Sequence, residues 1–124
     1  NEIEYARLVV AKNVAKICKK GVLILGVGNM VNHLGMLNYR QPETGYDWAI
    51  EASTKLKNWM LEGHHQPIIN YRQQGRPFQL AAPSPEHFLP LLYTLSLQEK
   101  KESISFFNDK TIMGSISMCG VRIS

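Results

Sequence analysis

With 124 residues and a mass of 14.1 kDa, the chain is long enough for one domain, or part of one, with a core of moderate size. Apolar residues make up 44% and charged residues 19%, which is ordinary for a globular protein and excludes a disordered or fibrous chain. The net charge of +4 comes from basic residues spread along predicted helix faces. A nucleic-acid interface needs them clustered, so we expect no nucleic-acid partner.

The two cysteines, Cys18 and Cys119, lie in apolar contexts without the spacing of metal ligands. They are predicted to be buried free thiols, which favours a reducing, cytoplasmic compartment. No apolar run reaches membrane-spanning length and no signal-peptide pattern occurs, so we expect no membrane partner. Because the chain begins at Asn1 and not at Met, we interpret it as a processed product or a fragment of a longer protein.

The first predicted elements are a helix and a buried strand. Apolar residues recur at helical spacing from Asn1 to Lys20, and Gly21 is a natural helix end. The run Val22–Gly26 is short and apolar on both faces, which is typical of a strand covered on two sides. A helix, a glycine and a buried strand in this order predict an α/β fold with a central mixed sheet flanked by helices.

The remaining chain alternates loops, helices and strands without an internal repeat or domain boundary, so residues 1–124 are predicted to form a single domain. Asp47 is the expected cap of a helix that runs to Leu61, with Gly63 after its end. Other predicted features, in chain order, are a loop over 35–47, an irregular stretch over 64–83 with one helical turn at 68–71, a helix over 84–97 and strands over 103–107 and 113–123.

The segment from Pro83 to Tyr93 is the first candidate site. Ser84 suits a helix N-cap and Pro85 the first helical position, which would place Glu86 and His87 in the first turn, at the positive end of the helix dipole. An imidazole and a carboxylate on so stiff an element suit metal binding or acid–base chemistry. The alternative is that Glu86 caps the helix and His87 is structural.

The second candidate site is the polar turn that follows the predicted strand. Gly28, Asn29 and His33 come just past its carboxyl end, the edge at which open α/β sheets bind ligands. The spacing of His33 by itself favours a structural histidine bonded to backbone. The pair His64–His65 is predicted to lie in a solvated loop, and the alternative is that one of the two lines a pocket. A metal needs about three protein donors with an open position, whereas this chain offers one or two.

Several motifs of the chain resemble motifs in the C-terminal half of the class III extradiol ring-cleavage dioxygenases and follow one another in the same order. The resemblance is specifically to the 4,5-DOPA dioxygenase-like group. The segment Pro83–Tyr93 is the most specific of them and Met113–Met118 is moderately so. The others are Val22–Val31, Tyr46–Ala49 and Pro67–Tyr71. The similarity spans nearly the whole chain.

The resemblance implies an enzyme that opens catecholic, DOPA-like rings with O₂ at a non-haem divalent metal, Fe(II) in catalysis and Zn(II) as a possible occupant of the same site. It implies that His87 is a metal ligand and that His33 is a second ligand or the group that transfers a proton. Asn32 stands where the family has its second histidine, and His33 where the family has asparagine. Asn29 and Asn32 are expected to orient substrate oxygens.

The resemblance also implies that further metal-site histidines come from an N-terminal half that is absent before Asn1. The chain alone is therefore expected to be incomplete and inactive, and to pair with the missing half or with itself. The competing interpretation is a non-catalytic α/β remnant that acts as an interaction module. A serine hydrolase is not supported, because the chain has no Gly-X-Ser-X-Gly motif.

Overall fold

The structure is a computed structural model that describes residues 13–124. Residues 13–18 are helical, and the later elements are four helices followed by four short strands. The helices are α1 (Asp47–Leu61), α2 (His65–Ile69), α3 (Arg76–Ala81) and α4 (Leu89–Ser96), with 3-10 turns at Leu34–Met36 and Tyr71–Gln73. The strands are β1 (Ile104–Phe107), β2 (Thr111–Ile112), β3 (Ile116–Ser117) and β4 (Gly120–Ile123).

The end of the first predicted helix is confirmed. Residues 13–18 are helical, and Gly21 has a φ of 80°, a left-handed conformation that glycine adopts without strain. The part of this prediction that concerns residues 1–12 lies outside the described residues.

The prediction of a buried strand over Val22–Gly26 is wrong for the described residues. These residues belong to no strand, and the side chains of Leu23 and Leu25 are 79% and 77% exposed. An apolar sequence favours a buried strand only where neighbouring strands supply hydrogen bonds and cover. Residues 13–124 supply neither for the outer face of this segment.

Helix α1 is the central helix of the fold, and its predicted range is confirmed. Ala49, Ala52, Leu56 and Met60 recur at helical spacing and are buried. Asp47 is its first residue and not its cap, since Tyr46 occupies the N-cap without a side-chain bond. The Tyr46 N–H instead donates to the Gly114 carbonyl oxygen (2.8 Å), which ties the helix start to the strands.

The stretch over 64–83 contains more helix than its sequence suggests. Helix α3 begins with Pro77 in its first turn, where the missing N–H costs nothing. Phe78 stacks on Trp59 of α1, with ring centroids 5.2 Å apart, which docks α3 on the central helix. A helix of this length is too short for hydrophobic periodicity to reveal it.

The helix predicted from residue 84 begins five residues later, at Leu89. A helix starting at residue 84 would place Pro90 in its interior, where the ring clashes with the preceding turn. Pro90 instead lies in the first turn of α4. The N–H groups of Phe88 and Leu89 donate to the Pro85 carbonyl oxygen, so residues 85–88 form a turn.

The strands form two small antiparallel sheets, β1 with β4 and β2 with β3. The first of them confirms the prediction over 103–107, and Phe107 lies over Gly120 of the facing strand. The single strand predicted over 113–123 is wrong, because Met113 and Gly114 have positive φ and residues 118–119 separate β3 from β4. Each piece consequently pairs with a different partner.

The core lies between α1, the shorter helices and the inner face of the strands. Its largest fully buried side chains include Phe78, Phe88, Leu56, Met60 and Ile68. Within residues 13–124, no helix combines the length and apolar character required to cross a bilayer.

Candidate functional site

Residues 29–33 form the segment around which the candidate site is built, and we call it the bridging segment. On one side the Asn29 N–H donates to the His87 carbonyl oxygen (2.9 Å). The Asn32 N–H donates to the Ala81 carbonyl oxygen (2.7 Å) at the end of α3. The connection from α3 to α4, which carries His87, is thus attached to the bridging segment at two points.

The other side of the bridging segment is attached to β3 and the residue before it. The Ser117 N–H donates to the Val31 carbonyl oxygen (2.9 Å), and the His33 N–H donates to the Ser115 carbonyl oxygen (3.1 Å). The side-chain amide of Asn29 donates to the Ser117 carbonyl oxygen (2.8 Å). The bridging segment therefore joins the His87 turn to the strands through main-chain and amide bonds.

Gly28 lets the chain pass directly against the His87 turn. A Cβ atom at this position would overlap the carbonyl oxygen of His87. Only glycine permits this approach, so Gly28 is explained by packing against the His87 turn.

Glu86 and His87 project from the turn before α4, and both side chains are exposed. The pKa of Glu86 is lowered, first by a hydrogen bond from the Ser84 side chain and then by its own backbone N–H. The nearby imidazole of His87 and the guanidinium of Arg72 lower this pKa further. Ser84 does not cap α4, whose N-cap is Phe88.

His33 is half-buried and ends the bridging segment. Its ring meets Trp48 edge-on, with centroids 6.3 Å apart, and Trp48 stacks on Tyr46 at 5.9 Å. The carbonyl oxygen of His33 accepts a hydrogen bond from the Ser115 hydroxyl (2.7 Å). Its Nδ1 atom is buried, and no described residue hydrogen-bonds to it. Hydrogen bonds thus fix the main chain of His33, whereas its ring Nδ1 makes no hydrogen bond to a described residue.

The two asparagines have different surroundings. Asn32 is partly buried and forms an isolated antiparallel bridge with Ile116. In an extended segment neighbouring side chains point to opposite faces, so Asn32 and His33 face different ways. The amide nitrogen of Asn29 is bonded to Ser117, and its Oδ1 atom is the part of that side chain left to meet a ligand.

A complete metal centre is absent from residues 13–124, which bring together no group of three His, Cys, Asp or Glu side chains able to hold an ion. The donors present do not by themselves fit a mononuclear site, which needs about three protein ligands. His64 lies apart, exposed beside Glu62 with Nδ1 to Oε2 at 3.2 Å, as expected for a solvated loop residue.

The two thiols differ from each other. Cys18 is exposed, at the last residue of the helical stretch over residues 13–18, which contradicts the predicted burial. Cys119 is partly buried, and burial first, then the charge of Asp109, raises its pKa to about 11. Cys119 is thus a weakly reactive thiol at neutral pH.

Sequence reasoning missed the residues that hold the site in place. Ser115 and Ser117 are 0% and 1% exposed, and they bond the bridging segment. The alternation of serine and apolar residues was visible, but it does not say that the serines face inward. Trp48 was noted only as part of a motif, and nothing in its spacing links it to His33.

Comparison with known proteins agrees with this architecture. No protein-family model matches the chain. It is 30% identical over 115 residues to a protein named 4,5-DOPA dioxygenase extradiol from Escherichia coli K12, a match that covers 90% of this chain and 42% of that protein. Proteins of the same name from Mirabilis jalapa and Portulaca grandiflora are 29% and 34% identical, covering 73% and 66% of this chain and 34% and 30% of theirs.

The fold has a solved counterpart. The crystal structure of an uncharacterized protein from Escherichia coli K12 superposes with a TM-score of 0.78 at 28% identity, over 93% of this chain and 48% of that one. The α/β fold class, as part of a larger domain, is thereby confirmed. The chain spans less than half the length of the relatives it matches. It is a relative of the 4,5-DOPA extradiol dioxygenases that corresponds to only a part of them.

Proposed function

We propose that the chain is the C-terminal portion of an extradiol dioxygenase domain and that the complete protein opens catecholic, DOPA-like rings with O₂. The observation that carries this proposal is the 30% identity over 115 residues to a protein of that name. The comparisons do not favour the alternative of a non-catalytic interaction module. Dioxygenase chemistry requires the rest of the domain, since residues 13–124 do not assemble a metal centre.

We assign His87 as one donor to a divalent metal, Fe(II) in catalysis and Zn(II) as a possible substitute. The exposed side chain of His87 projects from a turn that hydrogen bonds hold in place, as a ligand contributed to a shared site requires. The other donors would come from the part of the relatives that this chain does not match. Such a metal, when bound, supplies Lewis acidity and electron transfer between catechol and O₂.

His33 is the group that we assign to proton transfer at a ring hydroxyl, or to ligation as the alternative. Its main chain is fixed by the Ser115 hydroxyl, and an imidazole is suited to exchange a proton with a bound molecule near neutral pH. Asn29 would accept a hydrogen bond from a substrate hydroxyl through Oδ1. Asn32 is assigned the role of orienting a substrate oxygen from the face of the bridging segment opposite to His33.

The test is ring opening by the complete protein that contains this sequence, followed as the absorbance change of the opened product from DOPA in air. His87→Ala should abolish metal retention, measured by elemental analysis, together with ring opening. His64→Ala is the matched control, because His64 is exposed and its ring pairs with Glu62. Full activity in His87→Ala would contradict the assignment of that residue, and no ring opening by the complete protein would contradict the function.

A further inference from the structure

Residues 22–28, which we call the open segment, expose an apolar face. Leu23, Leu25 and Val27 are 79%, 77% and 87% exposed. They are alternate residues of a stretch without helical structure, so they share one face as they would on a β-strand. Three large apolar side chains in a row on one face indicate a surface that another polypeptide covers.

The opposite face of the open segment lies against the start of α4 at Gly26 and Gly28. Ile24 is half-buried, and Cβ atoms placed on Gly26 and Gly28 would press on the carbonyl oxygens of Pro90 (2.9 Å) and His87. The backbone therefore lies directly on the start of α4. With one face packed and the other apolar, the segment has the character of a central strand in an α/β sheet.

The backbone of the open segment is unpaired as well. Within residues 13–124, no backbone–backbone hydrogen bond involves residues 22–28. Among the described residues, strand β4 pairs with β1 alone, so no strand of residues 13–124 lies at its other edge. A groove of about 540 Å³ lies between the open segment and β4, and its lining includes Leu25, Leu91 and Val121 together with Asn29 and His87 of the candidate site.

We propose that this groove receives a β-strand from the polypeptide that corresponds to the unmatched part of the relatives. The inserted strand would pair with the open segment, and apolar side chains of the same polypeptide would cover Leu23, Leu25 and Val27. The proposal rests on the proposed function and names the partner and its docking surface. The length of the relatives indicates what occupies the groove. The chain matches 42% of the Escherichia coli relative and 48% of the superposed structure, so each relative has further polypeptide that can cover this surface.

A second copy of this chain fits the groove poorly. The strand edges that a copy would offer are those of its own open segment, which is pressed onto its own α4 through Gly26 and Gly28, and those of its own β1–β4 pair. To enter the groove of another copy, either edge would have to bring with it the elements that are packed or paired with it. A separate strand from the rest of the domain has no such restriction.

The experiment mixes this chain with the separately expressed, unmatched part of the Escherichia coli relative. Sedimentation and calorimetric titration should show a one-to-one complex, and hydrogen exchange at residues 22–28 should slow by about 100-fold or more. Leu25→Glu should weaken binding by about tenfold or more, because a carboxylate would be buried at the contact. Leu61→Glu is the control at an exposed leucine of α1, and it should leave the affinity unchanged.

Two results would overturn the proposal. One is the absence of a complex, or a complex that Leu25→Glu and Leu61→Glu weaken equally. The other is a dimer of this chain alone in which residues 22–28 are protected and which Leu25→Glu dissociates. The measurements are independent of activity. A complex that forms without opening DOPA contradicts the proposed function and leaves the docking surface in place.

Discussion

Asn29 holds His87 by its main chain and Ser117 by its side chain. Its N–H donates to the His87 carbonyl oxygen at 2.9 Å, and its amide nitrogen donates to the Ser117 carbonyl oxygen at 2.8 Å. One residue thus connects the turn before α4 to β3. The placement of His87 relative to the strands depends on these two bonds.

Replacing Asn29 should therefore destabilise the fold. Asn29→Ala leaves the carbonyl oxygen of Ser117, a residue 1% exposed, without its amide donor. The free energy of unfolding, measured in urea, should fall by about 1–3 kcal/mol.

Asn38→Ala is the control for that measurement. Asn38 also bonds backbone through its side chain, accepting from the Arg40 N–H at 3.1 Å, but it does so at an exposed position. This variant should change stability by less than about 0.5 kcal/mol. Equal losses in the free energy of unfolding would show that the buried bond to Ser117 stabilises the fold no more than the bond made by Asn38.

Gly28→Ala should displace the His87 turn, because the added methyl group overlaps a main-chain oxygen that cannot rotate away. We expect a loss of about 1–3 kcal/mol in urea unfolding, with shifted amide NMR resonances at residues 85–88. Gly35→Ala is the comparison, since its Cβ would approach only the movable ring of His33, at 3.3 Å. Unshifted resonances in Gly28→Ala would contradict the close packing described here.

The Ser84 hydroxyl is the first cause of the lowered pKa of Glu86, so Ser84→Ala should raise that pKa towards its ordinary value of 4.5. A depressed carboxyl pKa in the folded state favours folding above the unfolded pKa, and this contribution is lost as pH falls through the folded pKa. Carbon-detected NMR titration of the Glu86 carboxyl measures the change directly.

Ser96→Ala serves as the control for this titration. The Ser96 hydroxyl donates to the Tyr93 carbonyl oxygen within α4, away from Glu86. The Glu86 titration should be unchanged in that variant. If the Glu86 titration curve is identical in Ser84→Ala and in the unaltered protein, Ser84 is not the cause of the lowered pKa of Glu86.

The two cysteines should react at very different rates. Cys18 is exposed, whereas the pKa of Cys119 is raised to about 11, so about one part in a thousand of Cys119 is thiolate at pH 8. Iodoacetamide at pH 8 should therefore label Cys18 first, as read by peptide mass spectrometry, and urea-unfolded protein should lose the preference. Equal labelling of the folded protein would contradict the burial of Cys119.

The same thiol predicts a pH dependence of stability. The folded pKa of Cys119 lies above its ordinary value of 9.0, so the folded state holds this proton more tightly than the unfolded state. The resulting stabilisation is complete below about pH 9 and is lost as pH rises through about 11. Cys119→Ser should have a flatter stability curve between these values.

Long elements were predictable from the sequence, and elements that depend on neighbours were not. Helix α1 has enough apolar residues at helical spacing to identify its range from Asp47 to Leu61. The start of α4 was misplaced because Pro85 and Pro90 both suit a first turn, and only the position of the second inside a longer helix excludes the earlier start.

The candidate site shows the same division. The residues that the motifs point to, His33 and His87, are carried by segments joined through Asn29 and the bridging segment. The inward-facing hydroxyl of Ser115 could not be predicted, because it depends on which face of a short strand is covered. The sequence of the open segment predicts a buried strand because it is apolar on both faces, but residues 13–124 leave one of those faces exposed.

The attachment of the turn before α4 has a consequence for how this position can change. Asn29 and Gly28 contact the carbonyl oxygen of His87, an atom that every amino acid carries. Replacing the imidazole with another side chain removes its chemistry but leaves the main-chain hydrogen bond and the packing of Gly28 against the turn unchanged. The reactivity of residue 87 is therefore free to vary without a matching cost to folding.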